Sequence, residues 1–276
     1  MTQHPRTVLI TGATDGLGRA LARRLAADGG TSLLLHGRDQ AKLDATADGI
    51  RDAHNVPRPL TFRADLAELA QVRDLAAEVR DATERLDVLV NNAGIGGGEP
   101  DGRDRRVSKD GYELRFAVNY LAGFLLTQEL LPLLRASAPA RVVNVASLGQ
   151  QDIEFDDVML ERNYDGMRAY CQSKLAQISS TVELAERIPA AEVTFNSLHP
   201  ATYMPTKMVL QEIGHSIDSL ETGVEATRRL VVDQKLAGVS GRFFDRQREA
   251  RALKQAYDPA ARAELYGLSL KLVGLQ

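Results

Sequence analysis

Tyr170 and Lys174 lie four residues apart in the stretch 167–187, whose pattern reads as a helix, so their side chains share a face. A tyrosine hydroxyl with its ordinary pKa of about 10 is a poor base near neutrality. A lysine ammonium beside it favours the phenolate and brings that pKa down. Such a pair can give a proton to a carbonyl oxygen as it becomes an alcohol, and take one back in the reverse direction. Ser147 follows the apolar run 141–146 and is placed to hold the same oxygen. Asn119 stands inside the helical stretch 111–131, where an amide adds nothing to helicity; it can steady a water linked to Lys174. A lone Tyr-x-x-x-Lys is a common surface pair, so its meaning depends on what surrounds it.

The first companion is Thr11-Gly12-Ala13-Thr14-Asp15-Gly16-Leu17-Gly18, between the apolar run 7–10 and the helical pattern 19–26. Strand, glycine turn and helix in that order are the setting in which glycines mean dinucleotide binding. Gly12 permits the tight turn, Gly16 admits the phosphates, and Gly18 lets the helix pack on its strand. The free amides at the helix start then face a pyrophosphate. With this turn present, the Lys174 ammonium gains a second task, a hydrogen bond to a nicotinamide ribose. At the end of the next apolar run, 31–36, a carboxylate on the adenosine ribose is the mark of NAD. The residues there are His36-Gly37-Arg38, and Asp39 reads as the cap of the following helix. Arg38, helped by Arg19, suits a 2′-phosphate, and the expected cofactor is NADP(H). The plain alternative is two solvated surface arginines.

The elements that must position these residues alternate. Apolar runs at 7–10, 31–36, 60–63, 87–91, 141–146, 193–198 and 241–244 are separated by helical stretches at 19–26, 39–53, 66–83, 111–131, 167–187 and 221–236, with Pro132 as a stop and 247–271 mostly helical. This is the pattern of an α/β fold: a doubly wound parallel sheet of seven strands with helices on both faces, Rossmann-type, in a single domain over 1–276. Ligands bind beyond the carboxyl ends of such strands. The irregular segments 95–110, 150–165 and 201–219 fall on that side and form the substrate wall. The chain of 276 residues is 44% hydrophobic, with 34 basic and 37 acidic residues and a net charge of -3. Near balance of charge argues against nucleic acid as a partner. Cys171 is the lone cysteine, so no intrachain disulfide or thiolate metal cluster forms, and His4, His54 and His215 have no metal-ligand spacing. Residues 1–6 do not read as a signal peptide and no apolar run looks long enough for a bilayer, so the expectation is a cytoplasmic protein without a membrane.

Together the glycine turn, Asn91-Asn92-Ala93-Gly94, Asn119, Ser147 and Tyr170-Cys171-Gln172-Ser173-Lys174 run in an order that resembles the short-chain dehydrogenase/reductase family over nearly the whole chain. The resemblance implies a catalytic group of Ser147, Tyr170 and Lys174, with Asn119 completing a proton relay. It also implies that Asp65 meets the adenine with Leu66 beside it. Asn91, Ala93 and Gly94 would flank the adenosine ribose and the nicotinamide side, and Pro200 and Thr202 would hold the nicotinamide end. Asp110-Gly111-Tyr112-Glu113, Phe124-Leu125-Leu126-Thr127 and the long interval from Ser147 to Tyr170 further resemble the retinol-dehydrogenase-like branch. That branch mostly prefers NADP(H) and acts on lipophilic carbonyls and alcohols or secondary metabolites. Two departures stand out: Pro200-Ala201 where the family often has Pro-Gly, and Tyr120 where the branch often has His.

The expectation is therefore an NADP(H)-dependent oxidoreductase interconverting a carbonyl and an alcohol on a small molecule. A reductase of carbon–carbon double bonds is the alternative within the family, and a non-catalytic cofactor sensor or scaffold the alternative outside it. His199 reads as structural and Cys171 as a packing residue. Gly96-Gly97-Gly98 is either a mobile loop or a wide turn. Tyr203, Met204, Met208, Val209 and Leu210 make either an apolar lid or a helix packed on the core. The faces of 111–131 and 167–187 either build a homodimer or homotetramer or are covered by the C-terminal segment.

Overall fold

The computed structural model describes residues 5–98, 102 and 104–276; His4 and residues 99–101 and 103 of the segment 95–110 lie outside the described residues. Eight strands form one sheet: β1 (Arg6–Ile10), β2 (Thr31–Gly37), β3 (Leu60–Arg63), β4 (Val88–Asn91), β5 (Ala140–Val145), β6 (Val193–His199), β7 (Arg242–Asp245) and β8 (Arg248–Ala250). Their spatial order is β3-β2-β1-β4-β5-β6-β7-β8. The first seven are mutually parallel, and β8 folds back antiparallel on β7. The order reverses between β1 and β4, which opens a crevice at the carboxyl ends of those strands.

The helices are α1 (Gly16–Asp28), α2 (Gln40–His54), α3 (Leu69–Ala82), α4 (Ala122–Ala136), α5 (Gly166–Arg187), α6 (Lys207–Glu212), α7 (Leu220–Val232) and α8 (Pro259–Leu272). Two cores result because successive strand residues face opposite sides of the sheet. Val8 and Ile10 join Leu21, Leu25, Leu43 and Leu230 on one side. Leu9 joins Leu75, Leu125, Ile178 and Phe195 on the other.

Four readings of the sequence are corrected in detail. The sheet has an eighth strand, Arg248–Ala250, inside a stretch read as helical. Its three residues carry no apolar alternation, and Arg246 makes the preceding turn at φ 52 without the usual glycine. The helix that Pro132 was expected to stop runs on to Ala136, because Pro132 lies on the exposed side, where water can take the carbonyl its missing N–H leaves free. Ahead of α4, residues Phe116–Leu121 form a π-helical turn around Asn119, a local widening common at functional sites. Finally, Phe116–Ala136 is long and apolar enough by composition to cross a membrane, but it is a core helix with 61% of that stretch buried inside the fold.

The last helix, α8, covers α5 and reaches α4. Arg262 is 3% exposed and donates to Glu183 Oε2 at 3.2 Å and Glu186 Oε2 at 2.6 Å. Tyr266 packs edge-on against Phe124 and lies 4.0 Å from the Arg187 guanidinium. Tyr120 and Ser269 share a buried hydrogen bond of 2.7 Å. The outward face of α5 is thus occupied by the chain itself.

Candidate active site

The glycine turn is shaped by contacts that leave no room for side chains. Gly12 and Gly16 have φ of +66 and +47, which side chains rarely adopt. A Cβ on Gly18 would lie on the Gly12 carbonyl oxygen and 2.6 Å from Asn92 Nδ2. One on Gly37 would lie 2.7 Å from Thr14 Cγ2, so the bare end of β2 lets the turn approach. Asn92 Nδ2 donates to the carbonyls of Thr11 and Gly12 at 2.8 and 3.2 Å, and the amides of Asn92 and Ala93 donate to Thr11 Oγ1 at 3.0 Å. These bonds lock the end of β4 to the end of β1. Asp15 caps α1 through the Gly16 amide at 2.7 Å, and the amides of Leu17 and Gly18, inside the first turn, have no intrahelical acceptor.

His36 adds a link that the sequence reading did not find. Its Nδ1 accepts from the Gly12 amide at 3.3 Å, and its Nε2 lies 3.1 Å from the Ala64 carbonyl, which fixes the tautomer with the proton on Nε2. Burial lowers its pKa to about 4, so the ring is neutral and joins β1, β2 and β3 at the crevice. Beyond it Arg38 is exposed with no ion-pair partner among the described residues, and Asp39 caps α2 through the Lys42 amide. The register places Arg63 opposite Gly37, which makes Arg63 the second basic residue at this end, also exposed. Arg19 instead sits 3.9 Å from Asp15. Asp65 is exposed and turns its carboxylate to the Ala67 amide at 2.9 Å, with Leu66 buried beside it.

On the β4–β5 side the candidate catalytic groups converge. Around Gly149, a Cβ would lie 3.4 Å from Ser147 Oγ, 3.5 Å from Cys171 Sγ and 3.6 Å from Tyr170 Cε1, so all three side chains ring one spot. Cys171 therefore borders the site. Burial pushes the Tyr170 hydroxyl up to about 12, with the neighbouring Ser147 hydroxyl pulling the other way. Lys174 Nζ is 5.6 Å from the Tyr170 ring and donates to Val145 O at 2.9 Å and Gln177 Oε1 at 3.0 Å. With Lys174 5% exposed, burial brings its pKa down to about 7. Asn119 exchanges two hydrogen bonds with Ile95, at 2.8 and 3.1 Å, and donates to Ser173 Oγ at 3.0 Å. Gly94 lies before both groups: a Cβ there would sit 3.2 Å from Asn119 Oδ1 and 3.5 Å from Lys174 Nζ.

The model of the family described as short chain dehydrogenase matches residues 6–214. The chain belongs to that family. It is 35% identical to human retinol dehydrogenase 13 over 294 residues, covering 98% of this chain and 85% of the relative. To human retinol dehydrogenase 14 it is 36% identical over 299 residues, covering 99% and 87%. The solved structure of an uncharacterised protein from Mycobacterium paratuberculosis superposes with a TM-score of 0.77 at 29% identity, covering 98% of this chain and 93% of that one. The branch is retinol-dehydrogenase-like, and the family uses nicotinamide cofactors.

The site of this short-chain dehydrogenase fits such a cofactor. A side-chain-free turn, the first amides of α1, two exposed arginines at the β2 and β3 ends, and the Lys174 ammonium behind Gly94 form the donor set a phosphate-bearing dinucleotide needs. Asn91 differs from its neighbours. Its side chain is 4% exposed and points into the core, donating to Thr127 Oγ1 at 3.1 Å and Asn144 Oδ1 at 2.9 Å. Pro200 and Ala201 are buried, and Ala201 keeps an ordinary negative φ, so the missing glycine strains nothing. Thr202 is held from three sides: its amide donates to Asp218 Oδ2 at 2.7 Å, while its hydroxyl meets His199 Nε2 at 3.1 Å and Arg246 Nη2 at 3.2 Å. His199 is thus a structural partner of this turn. Tyr120 is buried among Phe116, Phe124 and Ser269, away from the crevice.

Proposed function

We propose that this oxidoreductase uses NADP(H) to interconvert a carbonyl and an alcohol on a lipophilic small molecule. The observation that carries the reading is the meeting of Ser147, Tyr170 and Lys174 behind the glycine turn. The bound nicotinamide supplies or accepts the hydride at the reacting carbon. In our reading Ser147 fixes the substrate oxygen through its hydroxyl. Tyr170 holds its proton across the neutral range and gives it to that oxygen, which suits the reductive direction. Lys174, as an ammonium, holds the ribose and stabilises the phenolate left behind. Asn119 fixes the Ile95 backbone beside Lys174, so its part in the relay is to shape the wall through which protons are resupplied.

Two further features support the finer reading. The pairing of β2 with β3 sets Arg63 opposite Gly37, the residue before Arg38, and we assign these two exposed arginines to a 2′-phosphate. Of the large apolar side chains exposed among the described residues, Leu148 follows the carboxyl end of β5, and Tyr203, Leu210 and Ile217 follow that of β6. Such a rim suits an apolar substrate, in line with the retinol named for the relatives. The test is a fluorescence titration with NADPH and NADH, on wild type and on Arg38→Glu. Preference for NADPH that Arg38→Glu reverses supports the reading; preference for NADH in wild type sinks it. Tyr170→Phe should keep cofactor binding and lose at least about a hundredfold in carbonyl reduction.

A further inference from the structure

The segment 203–217 is a loop pinned at its base and tied at its tip. At the base, the Asp218 amide donates to Thr202 O at 2.9 Å, the Ile217 amide to Tyr203 O at 3.0 Å, and Arg246 grips the Asp218 carboxylate at 2.6 and 3.1 Å. Met204 inserts beside Leu17 in the space Gly223 leaves, and Thr206 stands over Gly16. Beyond these residues the loop buries little, and no residue of α6 is buried. Its tip is held by Glu212, whose two carboxylate oxygens accept from the Gly97 amide at 3.0 Å and the Gly98 amide at 3.2 Å.

The receiving turn is rigid for a separate reason. Arg115 donates from beneath to the carbonyls of Gly96 at 2.9 Å and Gly97 at 2.7 Å, and it is 3% exposed. Its guanidinium also bonds the Tyr164 hydroxyl and meets Glu113 at 3.4 Å. The start of α5 presses on the same turn: a Cβ on Gly166 would overlap the Gly97 carbonyl. With the carbonyls drawn down to Arg115, the amides point outward as a pair, an arrangement that receives a carboxylate. Glu113 already matches the charge of Arg115, so Glu212 leaves the mouth with one net negative charge among the three. The turn that holds Glu212 packs on Met167, three residues before Tyr170 on α5: a Cβ on Gly97 would lie 3.0 Å from Met167 Cε. Burial keeps the Tyr170 hydroxyl protonated, and the Glu212 charge adds to it.

We propose that Glu212 is a specificity-determining residue: seated on the Gly97 and Gly98 amides, its carboxylate closes the substrate pocket beside Tyr170 and bars substrates carrying a negative charge near the reacting carbon. The proposal rests on the carbonyl–alcohol reading for its substrate, and on geometry alone for the closure. Opening swings Glu212 away from the amide pair and parts the apolar rim that Leu210 and Ile217 complete.

Two readouts test it on the full chain with NADPH present, using wild type, Glu212→Gln and Glu212→Ala. Lys207 is the only lysine or arginine between Arg187 and Arg228, so trypsin cutting the loop releases a fragment that begins at Met208. Glu212→Ala should raise the rate of that cut at least about fivefold and Glu212→Gln by less, since the amide oxygen keeps one of the two bonds. In the second readout 4-carboxybenzaldehyde is compared with its methyl ester. Wild type should favour the ester, and Glu212→Gln should shrink the ester-to-acid ratio of kcat/KM about tenfold, the size of a partly screened like-charge repulsion. Unchanged cleavage in Glu212→Ala, or a ratio that Glu212→Gln does not move, overturns the proposal. Turnover of neither aldehyde by any of the three proteins refutes the carbonyl–alcohol reading instead, and the trypsin cut then decides the closure by itself.

Discussion

Replacing Gly18 by alanine adds one methyl group, and the structure says where it goes. It would sit on the Gly12 carbonyl oxygen and 2.6 Å from Asn92 Nδ2, against the roughly 3.3 Å or more that a carbon keeps from a polar atom. Neither neighbour is free to retreat. The Gly12 carbonyl belongs to a turn whose amide is bonded to His36, and Asn92 is bonded to that turn twice. Relief must come from the start of α1 moving off β1 by roughly 1 Å, with an overpacking cost of about 1–3 kcal/mol. The same shift carries the Leu17 and Gly18 amides out of register with a phosphate. A hydrogen bond to a charged group contributes about 1.5–3 kcal/mol, so loss of one weakens binding roughly 10- to 150-fold. The assay is NADPH titration by fluorescence alongside a urea melt. Gly267→Ala is the control, because it lies inside α8 with nothing within 4 Å of its Cβ position; it should leave NADPH affinity alone and add about 0.5–1 kcal/mol of stability. An unchanged NADPH dissociation constant in Gly18→Ala would refute the placement of the phosphates at this turn.

Three other outcomes are expected. His36 and His199 both have pKa values lowered to about 4 by burial, below the unfolded 6.5 or so. Their contribution is complete above about pH 6.5 and is lost as pH falls toward 4, up to about 3 kcal/mol each, so denaturation midpoints should drop across that window and His36→Asn should flatten the drop. NADPH-dependent reduction should decline as pH rises through about 7, where Lys174 loses its proton while Tyr170 keeps its own; a rate that stays level to pH 9 contradicts this assignment. Arg262→Ala removes one of the two guanidinium groups on Glu183, since Arg187 stays on the other oxygen at 2.7 Å, and should cost about 1.5–3 kcal/mol in a urea melt; no loss at all would mean α8 is not anchored there.

The parallel sheet was legible because its strands are unbroken apolar runs and its helices are amphipathic, both local patterns. The candidate catalytic residues could be proposed from the sequence because Tyr170 and Lys174 share one helix and the glycine turn is contiguous. What escaped was set by distance in the chain. Arg63 joins Arg38 only through the pairing of β2 with β3. His36 matters because β1 and β3 bring Gly12 and Ala64 to its two nitrogens. Glu212 meets Gly97 across 115 positions. Asn91 was read with its neighbours along the crevice, yet strand alternation turns its side chain to the core. β8 escaped because a three-residue polar strand leaves no periodic trace.

The two outer strands of the sheet bear on how the chain behaves when crowded with its own copies. At one margin β3 is four residues long and follows Pro57 and Pro59, which cannot donate to a neighbouring strand. At the other, β8 is a three-residue hairpin return whose Arg248 and Glu249 are charged and exposed, with Glu249 3.4 Å from Arg242 on β7. A long parallel sheet with bare margins invites strand-by-strand growth into aggregates. Here each margin is short and either proline-preceded or charged, which leaves a strand from another copy little to pair with.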